Sequence, residues 1–540
     1  MNMVAVNLSI GGIDLAIIIF YLVGIVALGC FAGYHQRKGA QGKDYFLAGG
    51  NLKWPMIGLA LFSTNISTIH LVSQAQEGYM NGLAAGNFEW MAPFTLIALS
   101  LFFAPFYIRS KVATLPDFLE RRYNRQCRDW LAVLSIISVI FIHIGFSLFT
   151  GAVVLEGLFG FNRFASIISI SILTGLYTIV GGLLAVVLTE SIQTIILLIG
   201  AICITGIGLY KIGGWEGMAA YVEPVKLTML RSSEDTANLP WYSVFLGYPV
   251  IGLWYWCADQ TIVQRVLGAK DENHARVGPL FAGFIKILPV FIFVMPGTIC
   301  LALCNKGLIP KLDLENSKDT YSHLITNILP IGLKGVVAAA LLAALMSTVS
   351  GALNSIATLF SYDIYKRWRP ETSDKKLILI GRIVTFIAMV LAILWSPLID
   401  HFKTIYQGCN TLICYIAPPI TAVFLWGVLV PRISAVAATA TLYIGSFLGL
   451  VVSLLEWFKG YTGWHVHYMM TGFYLFCICS LLLFIISWLK PHQHTEESAK
   501  LVWKNPLECI QSPGWRGIGN YKFLAALLFV IMVSLYIIFR

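Results

Sequence analysis

Charge is scarce in this sequence: Asp, Glu, Lys and Arg make up 12% of its 540 residues, about half the share usual in soluble globular chains. That excludes an ordinary water-soluble fold. The net charge of +10 is not a nucleic-acid footprint, because the basic residues lie mainly in loops between apolar runs. Metal-ligand spacing is missing too. The 11 cysteines fall mostly inside apolar runs, and neither Cys300/Cys304 nor Cys477/Cys479 comes with the turn residues of a zinc site. No nucleophile–base pair stands in any loop, so an enzyme is not expected. The first apolar run, about 13–34, has no basic region before it, so no cleavable leader is expected. Long polar stretches are few (about 213–238, 305–322 and 490–520), and none has the composition of a packed domain.

What is abundant is apolar surface: 58% of the residues are hydrophobic and the mean hydropathy is +0.77. Runs of bilayer length recur almost to the end, which predicts an all-α polytopic membrane protein of about fourteen spans. They fall near 13–34, 51–75, 80–108, 130–158, 165–185, 187–212, 242–266, 278–304, 331–365, 377–398, 406–429, 434–456, 467–489 and 522–539. Two loops carry clusters of basic residues: Arg109, Lys111, Arg121, Arg122, Arg125 and Arg128 in one, Lys366, Arg367, Arg369, Lys375 and Lys376 in the other. Placing both inside gives that side most of the Lys and Arg, with both termini outside. Short loops suggest a plasma membrane, in particular a bacterial inner membrane. Thr114-Leu-Pro-Asp117 reads as a capped helix start at the interface. The pair Gly181-Gly182 reads as a helix stop.

Polar residues inside these runs carry the functional signal, because lipid satisfies neither a side chain nor a broken backbone. In Phe62-Ser-Thr-Asn-Ile-Ser-Thr-Ile-His70, Ser63, Thr64, Asn65, Ser67, Thr68 and His70 interrupt the second span. Gly247-Tyr-Pro-Val-Ile-Gly252 predicts a second interruption in the seventh span, beside the aromatic trio Trp254-Tyr-Trp256. Aromatic faces at a break suit a sugar ring as well as a membrane-interface belt. Two interrupted spans five apart are what an inverted repeat of five helices predicts, with ligands bound where the breaks meet. The ninth span contributes Ser347, Thr348, Ser350 and Ser355, a row of hydroxyls with no nearby carboxylate. That donor set suits a weakly held monovalent cation better than a divalent one, and it also suits a small-residue packing face. Glu89, Glu190, Asp259 and Lys286 are ionisable residues within or at the ends of spans.

These residues resemble the sodium/solute symporter family, most closely its sodium/glucose cotransporter branch. The resemblance runs from about 13 to 538 and includes Asp44-Tyr-Phe-Leu-Ala-Gly49, Asn65-Ile-Ser67, Phe88-Glu-Trp90, Trp254-Tyr-Trp-Cys257, Asp259-Gln260, Val263-Gln-Arg265 and Asp363-Ile-Tyr365. It implies a LeuT-type fold: an extra span in 1–50, inverted repeats over 51–212 and 242–429 joined by an extracellular loop 213–241, and three spans in 430–540 with a cytoplasmic loop 490–521. It further implies sodium held by carbonyls of Ser63, Ile66 and Ala344 with hydroxyls of Ser347 and Thr348. Sugar contacts carry over to His70, Glu89, Trp254, Lys286 and Asn410, with Asn65 nearby. Tyr255 matches an inner-gate aromatic, with Trp256 beside it and Phe88 as a further gate residue.

His70 resembles animal glucose carriers, where a bacterial galactose carrier has glutamine. Two departures bear on substrate and stoichiometry. Asn410 stands where the family has a sugar-contacting glutamine. A second sodium site of some relatives maps to Glu190, Ser350 and Gly351, a lengthened carboxylate with one hydroxyl absent, so one sodium per sugar is expected. The implied function is sodium-coupled symport of a monosaccharide by alternating access. The rivals are symport of an inositol, carboxylate or amino acid, and a sugar sensor or ligand-gated channel without coupled transport. The implied partners are sodium, a small-molecule sugar and the lipid bilayer, with no nucleic acid.

Overall fold

The structure is a computed structural model and describes residues 11–36, 42–235, 239–313, 317, 319–401, 405–491 and 495–540. Among them regular structure is helical. Eleven helices are long and apolar enough to cross a membrane. The expected count of fourteen is not reached, because breaks within a span and short links between spans change what counts as one helix. Arg163–Ile212 runs for 50 residues yet leaves helical geometry at Gly182 (φ 62°, ψ −158°). His70–Ser110 includes a turn at 82–86, and Ser243–Ala258 is apolar but short.

The elements that build the site are α1 (Gly12–Gln36), α2 (Trp54–Asn65), α3 (Thr68–Asn81), α4 (Leu115–Arg122), α5 (Arg125–Ser138), α6 (Arg163–Ile212), α7 (Tyr248–Leu253), α8 (Gln260–Leu267), α9 (Glu272–Ile285) and α10 (Leu333–Leu359). Burial sorts them. α10 is buried along nearly its whole length, packed against α6 and α1, while α9 packs on α2. The outer helices, such as α1 and Tyr521–Ile538, expose Phe20, Phe31, Phe529 and Ile537, the all-round apolar surface of a lipid-facing helix. An inner bundle that holds the buried polar residues among apolar ones is therefore wrapped in an apolar shell.

Two of the predicted punctuation marks stand. Thr114 caps α4, accepting the Asp117 amide at 3.2 Å, with Pro116 in the first turn. Gly182 is the stop inside α6. The seventh span is loosened where expected and fully broken further on. It runs helically over Ser243–Ala258, with a wide turn at 243–247 just before Pro249, whose ring withholds one amide from the helix ladder. The chain leaves helical geometry at Asp259 (φ −88°, ψ 124°), whose carboxylate then caps α8 by accepting the Thr261 amide at 2.7 Å.

Candidate functional site

The second-span break is made by its own side chains. α2 ends at Asn65, Ile66 is extended (φ −80°, ψ 104°), and Ser67 opens α3. In an unbroken helix the Ser67 amide would donate to the Ser63 carbonyl. Here it donates to Nδ1 of His70 at 3.2 Å, with Ser67 Oγ 2.9 Å from the same nitrogen, while the His70 amide turns back to the Ser67 carbonyl at 3.0 Å and to its side chain. This is a capping box with histidine in the position usually held by Glu or Gln. An Nδ1 that accepts a backbone N–H carries no proton, so neutral His70 has its proton on Nε2, available to donate to a ligand.

The freed carbonyls turn toward α10. Ser347 Oγ donates to the Ser63 carbonyl at 2.9 Å and the Ala344 carbonyl at 3.1 Å. Thr348 Oγ1 lies 3.1 Å from the Ala344 carbonyl and 3.4 Å from that of Thr64. Four of the five predicted sodium ligands thus converge, and Ile66 lies in the same break, fully buried. A cluster of neutral oxygens between two helices fits a hard monovalent cation.

A cavity of about 160 Å³ adjoins these oxygens. That is small beside the roughly 300–1,000 Å³ of pockets for drug-sized ligands, and it suits a small solute. Thr64, Asn65 and Thr348 line it, so the cation oxygens and the cavity share a wall. His70, Glu89, Trp254, Tyr255, Trp256, Phe88 and Lys286 line it as well, so seven sequence-expected side chains meet in one space. Glu89 and Lys286 form a salt bridge there, both almost fully buried, and Gln74 donates to Glu89 at 2.6 Å. Lys286 Nζ also lies 5.5 Å above the Trp256 ring. The pair cancels its own charge, so the cavity offers donors and acceptors without an unpaired ion. Asn410 lies outside the described side chains.

Sequence reasoning missed His143 and Ser147, which line the cavity from the far side on a helical stretch continuing α5. His143 Nε2 is buried without a hydrogen-bond partner, 3.6 Å from an Asp259 oxygen. The rule that singled out Glu89, an ionisable residue within a span, applies equally to His143.

The candidate second-sodium residues present a different picture. Glu190 is fully buried and held by Arg265 at 2.5 Å, with Thr64 donating to it at 2.8 Å. Ser350 donates instead to the Ser347 carbonyl at 3.0 Å. A Cβ at Gly351 would press on Arg265 and Glu190, so the absent hydroxyl makes room for the guanidinium. Glu190 already has a resident cation.

Residues 45–445 match the model of the sodium:solute symporter family. The chain belongs to that family. The symporter is 34% identical over 478 residues to sodium/glucose cotransporter 4 of Danio rerio, covering 83% of this chain and 72% of the relative. It is 32% identical over 525 residues to sodium/glucose cotransporter 2 of Rattus norvegicus, covering 88% and 78%. Among solved structures it superposes on a sodium-coupled sialic acid symporter in a substrate-bound outward-open state, with TM-score 0.77 at 23% identity over 90% of this chain and 100% of that one. It also superposes on Mhp1, a nucleobase-cation-symport-1 family transporter, with TM-score 0.54 at 13% identity over 84% and 97%. The fold is that of the LeuT-type sodium symporters.

Proposed function

We propose that this symporter couples inward sodium movement to the uptake of a monosaccharide of the glucose or galactose type. The observation that carries the choice of solute is the buried Glu89–Lys286 pair in an aromatic-walled cavity. An anionic solute would need an unpaired cation, and Lys286 is already neutralised by Glu89. A neutral polyol needs what is present: Glu89 and Asn65 to accept from hydroxyls, His70 Nε2–H and Lys286 to donate, and Trp254 and Tyr255 to pack on C–H faces. The sodium/glucose cotransporters among the relatives support the same reading.

Sodium sits between the break and α10, on the carbonyls of Ser63, Ile66 and Ala344 and the hydroxyls of Ser347 and Thr348. It ties the break to α10 and favours the form in which the sugar cavity is complete. Tyr255 and Trp256 close the inner side and Phe88 the outer side. The Arg265 guanidinium serves Glu190 in place of a second ion, so one sodium moves per sugar. The repeats span 51–212 and 242–429, and the loop carrying α4 faces the cytoplasm across a plasma membrane. A potential of about 100 mV then supplies about 2.3 kcal/mol per cycle, roughly fiftyfold in accumulation.

Uptake into proteoliposomes, with glucose, galactose, inositol and acidic solutes as competitors, tests the reading. Hexoses should compete and carboxylates should not. Inhibition by a carboxylate at hexose-like concentrations contradicts it.

A further inference from the structure

His70 stands at the junction of the cavity and the cation oxygens, and its two ring nitrogens face different tasks. Nδ1 takes the Ser67 amide at 3.2 Å, the donor that a continuous helix would give to the Ser63 carbonyl. The Ser63 carbonyl instead meets Ser347 Oγ at 2.9 Å, among the oxygens assigned to sodium. The same imidazole lines the sugar cavity.

We propose that His70 is a positioning residue for the sodium site: by capping Ser67 it holds the helix open and keeps the Ser63 carbonyl turned toward the ion. It touches the sugar through Nε2 and acts on the ion only through the Ser67 backbone. A solute oxygen accepting from Nε2–H makes Nδ1 a stronger acceptor, because linked hydrogen bonds polarise one another. The bound solute therefore tightens the cap, and the ion and solute raise each other's affinity by one common factor. Glutamine can replace histidine here on physical grounds. Its amide oxygen can cap Ser67 as in an ordinary capping box while its NH₂ faces the cavity.

The inference rests on the sugar reading only for the occupant of Nε2, so the decisive measurement is made without sugar. Sodium binding to the purified protein is followed in wild type, His70→Ala, His70→Leu and His70→Gln, using sodium-dependent tryptophan fluorescence or sodium-dependent thermal stabilisation. His70→Ala and His70→Leu should weaken half-saturation by about fivefold, equivalent to about 1 kcal/mol for one lost cap. His70→Gln should stay within about twofold of wild type. If Ala fails to fold, Leu supplies the same comparison. If both fail, His70→Gln decides alone, and a fivefold loss there overturns the inference. So does unchanged sodium affinity in Ala or Leu, or a loss in Gln equal to theirs. Failure of wild type to accumulate any hexose would overturn the sugar reading and leave this sodium comparison intact.

Discussion

Glu89 and Lys286 show how one buried residue can be indispensable without being a net source of stability. Removing one partner of a buried ion pair leaves an uncompensated charge, which costs about 3–5 kcal/mol. Lys286→Ala should therefore lower the melting temperature sharply, whereas the double variant Glu89→Gln/Lys286→Met should recover much of it while uptake stays lost. Recovery of uptake along with stability would show that the pair is only structural. The ion side separates in the same way. Ser347→Ala with Thr348→Ala removes two hydroxyls and should abolish sodium-dependent uptake, with protein levels in the membrane near wild type. These residues were legible from the chain because polar groups are rare in lipid-facing sequence, and each of Ser63, Asn65, His70, Glu89 and Lys286 stands out against an apolar background. His143 is visible by the same rule and was passed over because no row of polar residues accompanies it as one does His70; the cavity wall gives it a place.

At the scale of the element, the breaks matter more than the helices. Gly182 holds φ 62° and ψ −158°, a region open essentially to glycine alone, and a Cβ there would stand 2.5 Å from the Tyr45 carbonyl. Gly182→Ala should cost about 1–3 kcal/mol, read as a fall in melting temperature and in membrane yield. A variant as stable as wild type would show that the bend is not needed. This break was foreseen from paired glycines. The loosening before Pro249 was foreseen from the proline and its flanking glycines. The full break at Asp259 was not, because that aspartate reads from sequence as an ionisable group rather than as the cap of the next helix. The second-span break was visible as polar residues in a row. Its cause, the exchange of a backbone acceptor for an imidazole, needed coordinates.

Across the whole molecule, the cavity has unequal ends. Phe88 belongs both to the cavity wall and to a wider vestibule lined by Glu77, Asn81, Glu456 and Trp464. The opposite end is crossed by polar ties: Tyr107 donates to the Cys257 carbonyl at 2.6 Å, Thr114 to Asp363 at 2.9 Å, and the Leu115 amide to Gln260 at 2.8 Å. Arg128 adds an ion pair to Asp363 at 2.8 Å. These ties join α4, α5, α8 and the end of the α10 span, the parts that must separate if the cavity is to open toward that side. Coupling requires that a carrier holding only one of the two solutes does not make this change, and the wall at Thr64, Asn65 and Thr348 lies between the cavity and the oxygens proposed for sodium. The most direct test is accumulation of labelled glucose or galactose in proteoliposomes under an inward sodium gradient with an inside-negative potential. Wild type should concentrate one of these hexoses above its external level, and lose that ability when sodium is replaced by potassium or when Ser347 and Thr348 are both alanine. Equilibration without accumulation, or accumulation indifferent to sodium, would contradict the account.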